Sequence, residues 1–249
     1  MKMNKVMMLI LIPALLMVGC GANGGEKKNQ EVDSKSETEV EVIAPEDGSI
    51  GELTSFGRAS IKLKLNDGRV IYIDPYAGDN SDYEEPADLI LVTHTHSDHS
   101  AVYKVKRNED VEVVVCPKGI KSGDTLELKG ITVTAVPAYN TNHEKEESCG
   151  LILDIDGVKI YHTGDTSKID EMNALADLEL DYALITMDGY YNMGPEEAME
   201  VADIIKAKKL IPIHTDKSGD YNAENVEAFD KENKVVVKPG ETIKLFKEE

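Results

Sequence analysis

Cysteine is nearly absent from this chain of 249 residues: besides Cys20 there are only Cys116 and Cys149. Two cysteines do not make a disulfide scaffold, so the fold has to stand on a packed core. Cys116 ends the apolar run Val111–Val115 and reads as a small buried residue, with a Cys116–Cys149 bridge left open. Basic residues are scarce too, 27 against 47 acidic ones, for a formal net charge of −20. Such a surface repels nucleic acid and anionic lipid headgroups, which argues against a nuclease acting on polymers, although local basic pockets can exist. The apolar run near the start, Val6–Val18, is only thirteen residues long. As a helix it would reach about 20 Å, short of the ~30 Å hydrocarbon core of a bilayer.

That run has another reading. Lys2 and Lys5 precede it and a small residue, Gly19, ends it, so residues 1–19 fit a secretory signal peptide. Leu16-Met17-Val18-Gly19-Cys20 resembles a bacterial lipobox, with Met17 where leucine is usual. The resemblance implies that Cys20 receives lipid, becomes the new N-terminus and anchors the protein to the membrane outside the cytoplasm. Residues 20–48 are rich in Gly, Glu, Lys, Ser and Asn and poor in large apolar side chains. They cannot bury enough surface to offset ordering entropy and read as a flexible tether. Losing Lys2 and Lys5 takes the formal charge from −20 to −22. Residues 49–249, about 200 in all, suffice for one domain with a substantial core.

The chemistry concentrates in Thr93-His94-Thr95-His96-Ser97-Asp98-His99-Ser100, directly after the apolar run Asp88–Val92. That run has the character of a buried strand. Continued through His96, a strand's period of two puts His94 and His96 on one face. Asp98 and His99 then approach from the turn. Imidazole and carboxylate together suit zinc and its first-row neighbours. The motif His94-x-His96-x-Asp98-His99 after a strand resembles the signature of the metallo-β-lactamase superfamily. The fold this implies is α/β, a four-layer αββα sandwich with a pseudo-duplicated pair of sheets, although no internal repeat is visible by eye.

Later motifs extend the resemblance along the chain. Ile50–Phe56, Ala59–Leu65 and Val70–Ile73 read as strands, with a hairpin turn at Asn66-Asp67-Gly68. Asp74-Pro75 after the third strand is similar to a branch that includes the ascorbate-6-phosphate lactonases. That branch usually carries Gly-His-Ala or Gly-His-Ser at the first break, where this chain has Gly57-Arg58-Ala59-Ser60. Asp74 is either an orienting carboxylate for a ligand histidine or a strand-end turn residue. Ala101–Lys106 reads as one short helix, and Leu126–Ala135 as a hairpin leading to Pro137-Ala138-Tyr139-Asn140 and His143. Leu151–Ile155 and Val158–Tyr161 form a further hairpin, followed by His162-Thr163-Gly164-Asp165-Thr166. Asp181–Met187 reads as a strand. A helix starts at Gly194-Pro195-Glu196-Glu197 and runs to Ile205, with apolar spacing at Ala198, Val201, Ala202 and Ile205. Leu210–Ile213 is a strand ending at His214. A helix near Ala223–Phe229 and a strand pair, Val235–Val237 and Ile243–Phe246, close the domain.

Carried over residue by residue, the resemblance implies a dinuclear centre. His94, His96 and His143 hold one divalent ion, Asp98, His99 and His214 hold the other, and Asp165 bridges them. Zinc is the first choice, with manganese or iron as alternatives. Such ions lower the pKa of water to about 7, giving a nucleophile at neutral pH, and stabilise a developing oxyanion. Asp98 is also a candidate proton acceptor. His162, beside these residues, reads as a hydrogen-bonding support. The implied activity is hydrolysis of a small ester or lactone. β-Lactam or phosphodiester hydrolysis, or non-catalytic metal or ligand binding by a lipoprotein, are the alternatives. Tyr139, Asn140, Tyr190, Tyr191 and Asn192 are candidates either for lining the pocket or for loop packing.

Overall fold

The computed structural model describes residues 47–248. The leader, Cys20 and the tether through residue 46 lie outside the described residues. The strands form two six-stranded sheets. The first contains β1 (Gly51–Gly57), β2 (Ser60–Leu65), β3 (Val70–Ile73), β4 (Ala87–Val92) and β5 (Arg107–Val115), with β12 (Thr242–Leu245) beside β1. The second contains β6 (Thr125–Leu128), β7 (Ile131–Pro137), β8 (Cys149–Ile155), β9 (Val158–His162), β10 (Tyr182–Thr186) and β11 (Lys209–Ile213). The sheets share one plan. β1, β2 and β3 are antiparallel and β3, β4 and β5 parallel. β7, β8 and β9 are likewise antiparallel and β9, β10 and β11 parallel. Each sheet adds one antiparallel edge strand, β12 or β6. The duplication invisible in the residues is therefore plain in the topology.

The strand patterns follow from what covers each face. Leu89, Ile90, Leu91 and Val92 of β4 are fully buried, because Leu89 and Leu91 enter the core between the sheets while Ile90 joins a second cluster on the outer face. A parallel strand covered on both sides reads as a continuous apolar run. Each such side chain contributes about 1.5–3 kcal/mol by leaving water. The second sheet's outer face is covered by α1 (Pro195–Ile205), the short α2 (Ala223–Ala228) and a 3-10 turn at Asp170–Leu175. Pro195 sits in the first turn of α1 with Glu196 and Glu197, and Ala198, Val201, Ala202 and Ile205 are its buried face. The helical layer over the first sheet is reduced to 3-10 turns at Asn80–Tyr83 and Val102–Lys104. A cluster of Phe56, Tyr72 and Tyr83, with ring centroids 5.1–6.3 Å apart, fills that side instead.

Three expectations change. The helix over Ala101–Lys106 is the 3-10 turn Val102–Lys104. β5 is longer than Val111–Val115, starting at Arg107 and slipping register against β4 between Ala87 and Leu89. Its polar start, Arg107-Asn108-Glu109-Asp110, suits an exposed edge and hides the strand from an apolar pattern. Val235–Val237 is not a strand. It begins to pair with β11, through Leu210 N–H to Asn233 O at 3.1 Å and Val235 N–H to Leu210 O at 2.8 Å. The next bond would need an N–H from residue 212, which is proline, and the ladder stops there.

Candidate metal centre

The carboxyl ends of β3, β4, β9, β10 and β11 converge at one edge of the sandwich, and their loops carry the polar residues that the apolar strands exclude. His94, His99, His143, Asp165 and His214 are buried there, Asp98 is partly buried and His96 is exposed. Three sets of donor atoms each cluster within 4.8 Å: His94, His96 and His143; His94, His99 and Asp165; and Asp98, His99 and His214. All seven residues expected as ligands are thus brought together. Asp165 lies at their centre, with Oδ2 3.4 Å from His99 Nε2, 3.4 Å from His143 Nε2 and 3.7 Å from His214 Nε2. His214 Nε2 is 3.8 Å from Asp98 Oδ2.

The histidines are held from behind. His99 Nδ1 donates to Asp74 Oδ2 at 2.8 Å, and Asp74 also accepts from Thr93 N–H at 2.7 Å and Thr93 Oγ1 at 2.6 Å. Thr93 Oγ1 in turn lies 3.1 Å from His94 Nδ1. Asp74 therefore orients ligand-type histidines, settling its role between the two readings. His143 Nδ1 donates to Asn140 Oδ1 at 2.8 Å. Asn140 Nδ2 donates to Asn192 Oδ1 at 2.9 Å, and Asn192 Nδ2 to Asp188 Oδ2 at 2.7 Å. Asp188 Oδ2 lies 3.3 Å from His214 Nδ1, a charge contact not aligned as a hydrogen bond. A donor role at Nδ1 leaves the Nε2 lone pair for a metal.

Chemistry and burial agree with a metal at this place. His94 Nε2, His99 Nε2, His214 Nε2 and Asp165 Oδ1 are buried with no hydrogen-bond partner among the described residues. Leaving one such group unpaired costs about 1–3 kcal/mol, so four converging on one space call for a cation rather than more protein. Burial, with His99 next to it, pushes His94 down to about 3, so it is a neutral donor. Burial also lowers His143. Burial would lower His99 as well, but Asp165 and Asp74 outweigh it and raise His99 well above its usual value. Asp165 is held well below the carboxylate range: burial opposes this, and His99 and His214 overcome it. His214, then His99, hold Asp98 down against its own partial burial.

His162 is a support and not a ligand. Its Nδ1 accepts from Gly164 N–H at 3.1 Å, so Nε2 carries the proton and donates to Ala59 O at 3.0 Å. It thereby fixes the turn that presents Asp165. Gly164 in that turn has φ +62°, and a Cβ there would lie 2.7 Å from Cys149 O. Only glycine fits. Of the five pocket candidates only Tyr191 lines the cleft. Asn140 and Asn192 belong to the histidine supports, Tyr139 packs against the outer core and donates to Glu171, and Tyr190 packs on Tyr191. Asp188, Tyr76, Asn142 and Lys217 had no sequence signal as site residues and are recognisable only once the loops meet, whereas Arg58 is marked in the sequence by standing where the similar branch usually carries histidine. Cys116 and Cys149 are free and buried.

A family model for the β-lactamase superfamily domain matches residues 52–214. A metal-dependent hydrolase of Thermococcus onnurineus is 32% identical over 216 residues, covering 70% of this chain and 92% of the relative. A crystal structure of a protein from Parabacteroides distasonis superposes with a TM-score of 0.64 at 29% identity, over 74% of this chain and 90% of that one. The structure of a metallo hydrolase from Ignicoccus hospitalis superposes at 0.65 with 23% identity, over 78% and 98% of the two chains, and shows the common fold.

Proposed function

The chain belongs to the metal-dependent hydrolases of the β-lactamase superfamily, and from that premise we propose that it hydrolyses a small ester or lactone with two divalent ions. The observation carrying this is the set of four buried, unpaired donor atoms at the convergence of seven ligand-type residues. His94, His96 and His143 would hold one ion, Asp98, His99 and His214 the other, with Asp165 shared between them. Zinc suits the imidazole-rich set, and the carboxylates also admit manganese or iron. Divalent ions held there supply a nucleophile at neutral pH by lowering the pKa of water to about 7, and neutralise developing charge.

The protein's own residues do the rest. Asp165, ionised because the surrounding histidines hold it so, offsets the mutual repulsion of two cations. Asp74, Asn140 and Asp188 set the ring planes before a substrate arrives. Asp98 is held ionised by His214 and His99, and Arg58 Nη1, 3.2 Å from its Oδ2, keeps the carboxylate in place. Tyr76, Asn142 and Tyr191 wall a cleft of about 430 Å³, which suits a small molecule.

The leader and Cys20 support the further reading that the domain works outside the cytoplasm on a lipid anchor, and membrane fractionation of wild type against Cys20→Ala checks it. The function itself is tested by metal analysis of purified protein together with ester, lactone, phosphodiester and nitrocefin panels, with and without chelator. Close to two metals per chain and chelator-sensitive turnover of an ester or lactone are expected. Turnover of nitrocefin or a phosphodiester alone would move the substrate class. Two metals with no turnover would favour a binding protein, and no transition metal would end the assignment.

A further inference from the structure

The larger cleft carries a charge pattern that runs against the rest of the molecule. On a chain with 20 more acidic than basic residues, it is lined by two cations, Arg58 and Lys217, alongside the carboxylates Asp98 and Asp165. Those four formal charges cancel. The charge of any divalent ions bound beneath would therefore stand uncompensated by the wall. An adjoining recess of about 140 Å³ shares His96, Asn142 and His143 but carries Glu144 and Glu147 and no lysine or arginine. The lining of the larger cleft is thus balanced and that of the smaller recess is negative, so of the two the larger is the one that admits an anion.

Arg58 is built for recognition. It occupies the turn after β1 with φ 46°, a left-handed conformation uncommon for a side chain of its size. The turn is pinned by Arg58 N–H to Asp220 O at 3.3 Å and by His214 N–H to Arg58 O at 2.8 Å. The backbone that presents Arg58 is thus bonded to the backbone of a ligand histidine. Its side chain is 13% exposed, with the guanidinium 5.8 Å from the centre of the Tyr76 ring and Nη1 on Asp98. That is the only side-chain hydrogen bond of Arg58 among the described residues, so most of the guanidinium's five N–H donors remain for a ligand. Lys217 is exposed, has no ion-pair partner among the described residues, and lies with Nζ 4.6 Å from the centre of the Tyr190 ring. A planar fork and a point charge lining one cleft suit a carboxylate or phosphate group.

We propose that Arg58 and Lys217 form an anion-recognising rim, so that the substrate carries a carboxylate or phosphate group held at Arg58 while its reacting bond lies over the ions. This rests on the hydrolase reading for the word substrate, but the rim itself can be tested by binding alone. The probes are succinate and acetate, titrated calorimetrically into the metal-loaded protein at fixed ionic strength. Acetate can engage only the ions, whereas succinate can engage the ions and the rim together. Succinate should bind the wild type at least about tenfold more tightly than acetate, as a charge-assisted hydrogen bond predicts. Arg58→Gln should remove most of that advantage and Lys217→Gln about threefold of it, the smaller effect expected of an exposed charge. Acetate binding and metal content should stay at wild-type levels in Lys217→Gln; Arg58→Gln also loses the contact to Asp98, so its succinate-to-acetate ratio is compared with wild type at matched metal content. Arg58→Lys should recover part of the loss, since it restores charge without the fork. Equal binding of succinate and acetate by wild type, or wild-type succinate binding by Lys217→Gln and Arg58→Gln, would overturn the rim. Lys217 is exposed and bonds no buried group, so its variant remains informative should Arg58→Gln fold poorly. Failure of the hydrolase reading would look different: succinate selectivity would persist with no turnover on any panel.

Discussion

Val70 and Lys159 occupy the same register position in the two sheets, one residue before the pairs Ile71–Leu89 and Ile160–Tyr182. Each backbone N–H donates to an aspartate at the start of the next parallel strand, Asp88 Oδ2 of β4 at 2.8 Å in one half and Asp181 Oδ2, just before β10, at 2.8 Å in the other. Four residues further along, Asp74 N–H bonds Leu91 O at 2.9 Å and Thr163 N–H bonds Leu184 O at 3.1 Å. Thr93 N–H then donates to Asp74 Oδ1 at 2.7 Å, as Thr186 N–H donates to Thr163 Oγ1 at 3.1 Å. The same bonds recur at the same positions, but one half has a carboxylate where the other has a hydroxyl. The second oxygen of Asp74 reaches His99. Thr163 has none to spare, and the second half supports its histidine from a different place, with Asp188 beyond β10. A shared scaffold thus supplies the frame, and the carboxylate of Asp74 in place of the Thr163 hydroxyl lets the first half orient a histidine from the end of its third strand.

Asp165→Asn breaks the comparison most severely, because Asp165 is the one residue of the second half that faces histidines from both. Asparagine keeps the shape and removes the charge between the two sets of donors. Turnover should fall by about a hundredfold or more, as for other losses of preorganised charge. Metal analysis should show one ion lost preferentially, while circular dichroism stays near wild type. Retention of both ions with normal turnover would remove Asp165 from the centre.

The two supports can be compared directly. Asp74→Asn and Asp188→Asn should each weaken metal binding, within the range of about ten- to a hundredfold seen for residues behind metal ligands. Asp74→Asn should be the more damaging, because Asp74 contacts His99 at 2.8 Å and also holds Thr93, whereas Asp188 meets His214 at 3.3 Å. Competition with a chromophoric chelator measures both, and the reverse ranking would contradict the role assigned to Asp74.

The smallest effects should come from the aspartates at the far ends of the strands. Asp181 is fully buried and meets Lys247, Lys159 N–H and Glu248 N–H. Burial would raise its pKa, but these partners outweigh it and lower it. A depressed carboxylate stabilises the fold fully above its unfolded value of 3.8 and loses that stabilisation as pH falls through the lower folded value. Asp181→Asn should therefore lose about 1–3 kcal/mol at neutral pH, and the gap from wild type should close below about pH 4. Asp88→Asn, at a half-buried position, should lose about 1 kcal/mol or less. Thermal melts across pH check both, and a gap for Asp181→Asn that persists in acid would rule out the charge as its source.

The first half was the more legible in sequence. His94, His96, Asp98 and His99 lie within six residues, and the buried run before them marks its strand. His143, Asp165 and His214 are isolated in the chain, and the short motifs around them point to ligands only through the resemblance. Asp188 carries no signal because a turn aspartate looks the same wherever it points, and Arg58 is marked only by standing where the similar branch usually has histidine, which says nothing of where a guanidinium there would point. The strand order followed from apolar runs and turn residues. The start of β5 did not, since its residues are polar, and the failed strand at Val235–Val237 depended on Pro212 in the neighbouring β11, a fact of pairing and not of local composition.

The amide of Asn192 accepts from Asn140 and donates to Asp188, so a path of three side chains runs from the hydrogen bond on His143 to the carboxylate facing His214. In the proposed arrangement those histidines serve different ions. The residence times of two such ions would then be linked, because the groups behind both histidines share the Asn192 amide. Ions would be captured by rings already in place and would exchange slowly, so that the loaded protein keeps its pair through dilution and brief exposure to competing ligands.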